Sequence, residues 1–491
     1  MTAGSSLRRE RLGWAFGLNA PQLGVVALAV APVLALMAAQ NYAAALGWVP
    51  VAVVMVSLAV VPIKGRVAVT WLLHWVGHTT GTATGWSSWQ SQAAAGRTVV
   101  PENPDLPGVL TRFQLPDGPP MGEHGRVCLT HDTVEDRWGA TARLKFAGIG
   151  MIGDEQCAAL GRSMGALALS LRASRRVDRF SFYVRTVPDD GATYQAWRDA
   201  HQVVDVPPLV RTSAEQMARR WAGGSVVTEA FLHVSAPETV LAARAKDAGG
   251  GVTGRGYALH PALVGLTDPL AAMGVEPPQW LTGQGLAEAI RTGFNPAAGG
   301  GVTRAHLAGR GGLPLAVAGP VTASSSDARV YAHDGYATVS FTLMMTGLDL
   351  PFGALLAVRT AGERRCVAVH YEVIGIRAAQ RIAQRERQHT TGLRSLKTSK
   401  GFGTKSEDSR AEASARKQED AVAAGHALLR TSVVVSTTVP AHWTVSEHAD
   451  ALENDIVSAF VPVRLDLVQD SAFVAACIPV GLGLHRVRGE L

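Results

Sequence analysis

Residues Pro21 to Val61 read PQLGVVALAVAPVLALMAAQNYAAALGWVPVAVVMVSLAVV, two apolar runs separated by Gln40, Asn41 and Tyr42. A bilayer core about 30 Å thick needs about 20 apolar residues in a helix, and each run is close to that length. The polar break is too short to be a domain. The stretch therefore predicts a transmembrane helical hairpin, 21–62.

Basic residues flank the predicted hairpin on both sides. Arg8, Arg9 and Arg11 precede it, Lys64 and Arg66 follow it, and the tip carries no charge. Because positive residues near membrane spans stay in the cytoplasm, both ends and the bulk of the chain are expected there. A cleaved signal peptide is disfavoured by the second apolar run. The sequence thus predicts a multi-pass protein of the plasma membrane.

The regions that follow are distinguished by composition and hydrophobic periodicity. We predict a transmembrane helical hairpin plus an α+β cytoplasmic region with split β-α-β units and a helical hairpin. Two triple-glycine runs, 249–251 and 299–301, follow a helix or a loop rather than a strand, so we interpret them as flexible connections. In chain order we predict a basic cytoplasmic tail (1–20), the transmembrane hairpin (21–62), an interfacial helix and exit (63–97), a Pro/Gly-rich linker (98–125), an α+β cytoplasmic domain (126–373), a basic helical hairpin (374–430) and a C-terminal β-α-β unit (431–491).

Tryptophans follow the predicted hairpin at helical spacing. Trp71 and Trp75 lie four residues apart in VAVTWLLHWVG, which begins at Val67. Amphipathic rings gather at membrane interfaces, so Trp71 and Trp75 are predicted to contact the lipid headgroups. His74 and His78 share one face of the same helix, but no third ligand lies nearby to complete a metal site.

Motifs that carry chemistry are missing from the sequence. The four cysteines form no CxxC pair, which argues against zinc and a disulfide framework. Residues 399–406, SKGFGTKS, resemble a phosphate-binding loop, but Thr404 stands where that motif needs glycine before Lys-Ser. We therefore predict a protein without catalytic residues, cofactor or metal, which is not an enzyme.

Positive charge is concentrated in one segment. Residues 377–405 hold eight basic side chains and one acid, whereas the whole chain has a formal net charge of +6. Three interpretations remain open: a solvated helix face, a contact with anionic lipid or an acidic partner, and nucleic acid. Nucleic acid is disfavoured because Phe402 alone among aromatic residues interrupts the run. The candidate contact residues are Arg377, Arg381, Arg385, Arg387, Arg394, Lys397, Lys400 and Lys405.

The order of these features resembles a known class. GLNAPQLGVVALAV, the second apolar run and WLLHWVGHTTG are similar to the PrgI-type membrane subunit of actinobacterial and Gram-positive conjugation systems. RLKFAGIGMIGDEQCAALGRSMGALALSL, the pair IRAAQRIAQRER and ARKQEDAVAAGHALLR, and the closing β-α-β pattern resemble the N-terminal, non-motor domain of type IV secretion ATPases. The motor half, with its nucleotide-binding loop, has no counterpart in this sequence.

This resemblance implies a fused membrane anchor and docking domain. Such a protein would recruit a separately encoded motor ATPase and other secretion-complex subunits to an inner-membrane transfer apparatus, without catalysis of its own. Its stoichiometry, including assembly as a homo-oligomer, stays open. The alternative is a type VII secretion membrane component of the EccE kind, which similarly joins a two-helix anchor to a soluble domain; fold alone does not separate the two.

Overall fold

The computed structural model describes most of the chain in a mixed helix and sheet fold. The described residues are 20–60, 62–63, 66–122, 125–146, 153–188, 191–201, 205–222, 226–345, 363–384, 388, 406–457 and 460–483.

Helices occur along the whole described chain. They are α1 (Ala20–Ala38), α2 (Tyr42–Val60), α3 (Ala68–Thr84), α4 (Asp154–Ser174), α5 (Ala192–His201), α6 (Pro208–Ala222), α7 (Glu238–Asp247), α8 (Gly251–Val264), α9 (Thr267–Ala271), α10 (Gly283–Phe294), α11 (Ala298–Leu307), α12 (376–384), α13 (Ser406–Ala423), α14 (Val445–Val457) and α15 (Gln469–Cys477), with short 3-10 helices at Gly108–Arg112 and Leu315–Val317.

The strands are mostly short at the two ends of the sheet and long in its centre. They are β1 (Pro62–Ile63), β2 (Arg66–Val67), β3 (Ser88–Gln90), β4 (Phe113–Gln114), β5 (Asp117–Pro120), β6 (Arg126–Asp132), β7 (Arg137–Leu144), β8 (Arg179–Pro188), β9 (Val226–Pro237), β10 (Gln279–Trp280), β11 (Thr322–Ser324), β12 (Tyr331–His333), β13 (Tyr336–Met345), β14 (Arg364–Ile374), β15 (Leu428–Pro440) and β16 (Phe460–Arg464).

One antiparallel sheet organises the domain, in the order β3-β11-β12-β13-β15-β14-β8-β9-β7-β6-β4. Its two central halves have the same arrangement. In the first half β9 lies between β7 and β8, and in the second half β15 lies between β13 and β14. The halves meet where β8 pairs with β14, with Tyr183 opposite Ala368.

Strand alternation divides the core between the two faces of this sheet. On one face, Val367 and Val369 of β14 pack with α14, and Phe180 of β8 packs with α4 and α8. On the other face, Cys366 and Ala368 of β14 pack with α10 and α15. Helices therefore cover both faces, which makes three layers.

The sheet corrects two of the expected domain boundaries. Residues 98–125 are not a linker, because Leu106, Leu110 and Phe113 are buried in the core beside α10 and α15. Proline and glycine there shape a 3-10 helix and two short strands rather than a loose connection. Residues 431–491 are not a separate unit, because β15 is hydrogen-bonded between β13 and β14 of the preceding region.

The triple-glycine runs also differ from expectation. Gly249, Gly250 and Gly251 all have positive φ and form the tight turn that leads into α8. Residues 299–301 lie inside α11. Glycine supplies left-handed backbone at the first run, but neither run is a flexible connection.

Candidate membrane attachment and docking surfaces

Helices α1 and α2 pack side by side in antiparallel directions. The side-chain amide of Gln22 donates a hydrogen bond to the carbonyl of Ala59 at 2.8 Å. The indole of Trp48 donates to the carbonyl of Ala29 at 3.1 Å. These bonds join the start of α1 to the end of α2 and the middle of α1 to the first half of α2, so the pair is a helical hairpin.

One helix among the described residues is long and apolar enough to cross a membrane. The 18 residues from Tyr42 to Ala59 have a mean hydropathy of 1.9, and 17% of them are buried. The apolar stretch of α1, Gly24–Ala38, is shorter. By length and composition, α2 alone passes this test.

Helix α3 exposes several apolar side chains. Trp75 is 45% exposed, and Leu73 and Val76 are also exposed. Trp71 is half-buried, although it lies one turn before Trp75. An exposed tryptophan beside an apolar hairpin suits the boundary between lipid and water, where an amphipathic ring is favoured. The predicted interface role of Trp71 and Trp75 stays a prediction.

Helix α3, which follows the hairpin in the chain, is joined to the edge of the sheet. After α3, strand β3 pairs antiparallel with β11, with Ser88 opposite Ser324. The ring of His78 lies 3.1 Å from the carbonyl of Ser325, and the amide of Ser325 donates to the carbonyl of Ser87 at 2.7 Å. Helix α3 is thus fixed to the edge of the sheet on both sides of its C-terminus.

Both helices of the predicted basic hairpin fall partly within the described residues, but its tip does not. Arg377 and Arg381 of α12 are both exposed, and the opposite face of α12 packs Ala379 and Ala383 against Val422 of α13. These two arginines therefore lie on a free helix face. The other candidates, Arg385, Arg387, Arg394, Lys397, Lys400 and Lys405, lie outside the described residues.

Two buried arginines were not identified from the sequence. Arg185 donates from Nη1 to the carbonyls of Ala289 at 2.7 Å and Cys477 at 3.1 Å. Arg364 donates from Nη1 to the carbonyls of Thr292 at 2.9 Å and Gly293 at 2.5 Å. The last carbonyls of a helix lack partners within the helix and carry partial negative charge. The two side chains therefore cap the C-termini of α10 and α15.

A carboxylate balances one of these buried charges. Glu229 accepts a hydrogen bond from Nη2 of Arg185 at 2.8 Å. Burial alone would raise the pKa of Glu229, but the charges of Arg185 and Arg143 hold it below its usual value. The pair is internal to the sheet and supports the fold, since removing one member would leave a buried charge without its partner.

Three histidines, His233, His333 and His370, are buried in the same layer. His333 lies between the carbonyl of Phe294 at 2.6 Å and the hydroxyl of Thr338 at 2.8 Å. Burial lowers the pKa of His333 and of His233 to about 3, and that of His370 to about 4. All three are therefore neutral at pH 7.

A chain of ion pairs crosses one end of the sheet. Arg112 pairs with Asp132 at the end of β6. Glu135, in the turn between β6 and β7, pairs with Arg179 of β8. Burial alone would raise the pKa of Glu135, but the hydrogen bond and charge of Arg179 lower it. The crevice beside them measures about 10 Å³, roughly the space of one water molecule. These residues tie β6, β8 and the neighbouring turn together.

Comparison with known proteins adds no identification. No protein-family model matches the chain, and no curated protein matches it. Within the described ranges, no group of three or more His, Cys, Asp or Glu side chains is arranged to hold a metal ion.

Proposed function

We propose that this chain is a non-catalytic inner-membrane scaffold of a type IV-like conjugative transfer or secretion apparatus, which holds a separate motor ATPase at the membrane. The observation that carries the proposal is the attachment of α3, which packs against α2 of the apolar hairpin, to the sheet edge at β3 and β11. A domain joined in this way keeps a fixed position at the membrane, which a docking component requires.

The orientation of the hairpin follows from its antiparallel helices and its charged flanks. We propose that both α1 and α2 span the bilayer, with the domain in the cytoplasm of the cell. Antiparallel packing returns the chain to the side on which it began, and the basic residues Arg8, Arg9, Lys64 and Arg66 flank that side. The shorter apolar stretch of α1 is compatible with crossing if polar flanking groups extend to the interface.

The strand order supports the likeness to the non-motor domain of secretion ATPases. That likeness implies split β-α-β units, in which a third strand separates two parallel ones. Strand β9 lies between β7 and β8, which α4 connects, and β13 lies between β15 and β16, which α14 connects.

The motor-docking part of the proposal concerns the basic helix face. Arg377 and Arg381 project from α12 into solvent. Because exposed positive charge steers an acidic partner and sets its orientation, this face is the first docking surface to test. Direct binding of nucleic acid is not part of the proposal.

The experiment is an affinity purification of the detergent-solubilised, tagged full-length protein from its native cells. We expect a motor ATPase to co-purify with the wild-type protein. R377Q/R381Q should weaken its recovery, whereas the control R162Q/R244Q, which removes two exposed arginines from α4 and α7, should not. Recovery of type VII components without a motor would favour the EccE-like alternative. ATPase activity that remains after co-purifying proteins are removed would contradict the scaffold role.

A further inference from the structure

A cleft of about 40 Å³ lies where the chain leaves α3 and meets the N-terminus of α15. Three aromatic side chains, Trp86, Trp89 and Tyr331, line it together with the carboxylate of Asp470. Trp86 follows the last residue of α3 by two positions and is 82% exposed, so it forms the outer rim. Tyr331 is buried and forms the inner wall.

Asp470 brings a carboxylate into this cleft. Its Oδ1 accepts a hydrogen bond from the hydroxyl of Ser471 at 3.4 Å. Among the described residues, no arginine or lysine forms an ion pair with it. Its Oδ2 lies 3.5 Å from the position that a Cβ on Gly108 would take, so the carboxylate reaches the opposite wall. Burial raises its pKa, and hydrogen bonds from Ser471 and the charge of His78 offset only part of that shift.

Aromatic faces and a carboxylate together define the chemistry of a cation site. The face of an aromatic ring is electron-rich and attracts an ammonium group within about 6 Å, and tryptophan does so most strongly. A space of about 40 Å³ exceeds what one water molecule needs. It suits a primary ammonium better than the bulkier trimethylammonium.

We propose that this cleft binds the primary ammonium of a phosphatidylethanolamine headgroup. The lipid source is argued from position, since Trp86 stands directly after the interfacial helix that carries Leu73 and Trp75. The proposal therefore rests on the membrane attachment proposed above. Its role would be to set the depth and tilt of the sheet edge at the bilayer surface.

Asp470 also lies in the first turn of α15, where a carboxylate stabilises a helix through its dipole. The test must therefore measure the selectivity for lipid headgroups and not the stability of the protein. Full-length protein in detergent is incubated with equal amounts of phosphatidylethanolamine, phosphatidylcholine and phosphatidylglycerol of the same acyl chains, and retained lipids are counted by native mass spectrometry. We expect the wild-type protein to retain phosphatidylethanolamine about tenfold over phosphatidylcholine.

Two variants and one control decide the result. D470N and, separately, W86L should lower phosphatidylethanolamine retention to the phosphatidylcholine level. D327N, which removes an exposed carboxylate from the turn between β11 and β12, should leave the selectivity unchanged. A wild-type protein without headgroup selectivity, or a D470N and W86L pair that both retain it, would overturn the proposal.

Soluble competitors identify the source of the ammonium group. Phosphoethanolamine should displace the retained lipid, and Nα-acetyl-lysine methylamide should not. Equal displacement by the lysine analogue would assign the cleft to a protein side chain and overturn the lipid proposal. Extraction of the protein from membranes by alkaline carbonate would instead contradict the proposed membrane anchor. Failure of the lipid proposal can therefore be distinguished from failure of the membrane attachment.

Discussion

Arg185 donates a hydrogen bond to the backbone carbonyl of Cys477, 3.1 Å from its Nη1 and 292 positions later in the chain. The same guanidinium donates to the carbonyl of Ala289 in the middle of α10, so one side chain of β8 holds two helices against the centre of the sheet. The fold therefore depends on a charge that no solvent reaches.

Replacing that charge should destabilise the protein strongly. We expect R185M to lower the free energy of unfolding by about 3–5 kcal/mol, because Glu229 and the carbonyls of Ala289 and Cys477 lose their donor in a buried site. Urea unfolding of the full-length protein in detergent, followed by circular dichroism, measures the change. R329M removes a side chain that is 61% exposed and should cost less than about 1 kcal/mol. Equal effects of the two substitutions would contradict the capping role.

The C-terminal segment over the sheet should tolerate no side chain at Gly481. A Cβ there would lie 2.2 Å from the ring of His233, and φ is +80°. We expect G481A to lower the melting temperature well below that of G425A, whose glycine also has positive φ but faces open space. The shared backbone cost, about 1 kcal/mol, cancels in this comparison. Similar melting temperatures would mean that the segment does not pack on His233.

Stability should fall as the solution is acidified. The pKa of His233 and of His333 is about 3, and that of His370 about 4, in the folded protein, against about 6.5 in the unfolded chain. Between those values the unfolded chain binds more protons, so each histidine removes up to about 1.4 kcal/mol of stability per pH unit as pH drops below 6.5.

Urea unfolding at pH 7.5, 6.5 and 5.5 measures this dependence. H370N should flatten the curve between pH 6.5 and 5.5, whereas H442N, at an exposed position, should leave it unchanged. A wild-type stability that stays constant over this range would show that the buried histidines already carry protons or are not buried.

The exposed apolar residues of α3 should contact lipid. Leu73 of α3 is 65% exposed and Leu307 of α11 is 57% exposed. We expect a polarity-sensitive fluorophore on L73C to emit at shorter wavelength when the protein is in lipid vesicles than when it is held in amphipol without lipid. The proposed membrane attachment would place this site at the boundary between lipid and water. The same label on L307C serves as the control and should shift little. Equal shifts at both sites would remove the distinction between the two surfaces.

Much of the secondary structure follows from the sequence alone. The alternating pattern of 179–186 predicts a strand, and β8 is Arg179–Pro188; the periodicity of 153–172 predicts a helix, and α4 is Asp154–Ser174. Period two and period 3.6 are local properties, so neighbouring residues suffice to show them.

Features that depend on residues far apart in the chain could not be predicted from the sequence. Helix α8, GVTGRGYALHPALV, contains residues of low helix propensity, yet it forms because its glycines permit close packing. A Cβ on Gly254 would lie 2.2 Å from the carbonyl of Ala245, and one on Gly256 would lie 2.3 Å from Pro119. Local pattern cannot report such contacts.

The buried arginines also could not be predicted from the sequence. Arg179 and Arg185 lie in one strand, and the sequence does not reveal which of them the helices cover. The side chain of Arg179 is 16% exposed and that of Arg185 is 0% exposed. The difference comes from α10 and α15, more than one hundred residues later.

The insertion of β15 between β13 and β14 means that the sheet is completed late in synthesis. The strands of its first half, β6 to β9, are complete once residue 237 has been made. The sheet, however, stays divided until residues 428–440 arrive, and its core is not covered until α15 follows at 469–477. The second half of the sheet must therefore complete its folding after most of the chain has been made, with its strand edges exposed until then.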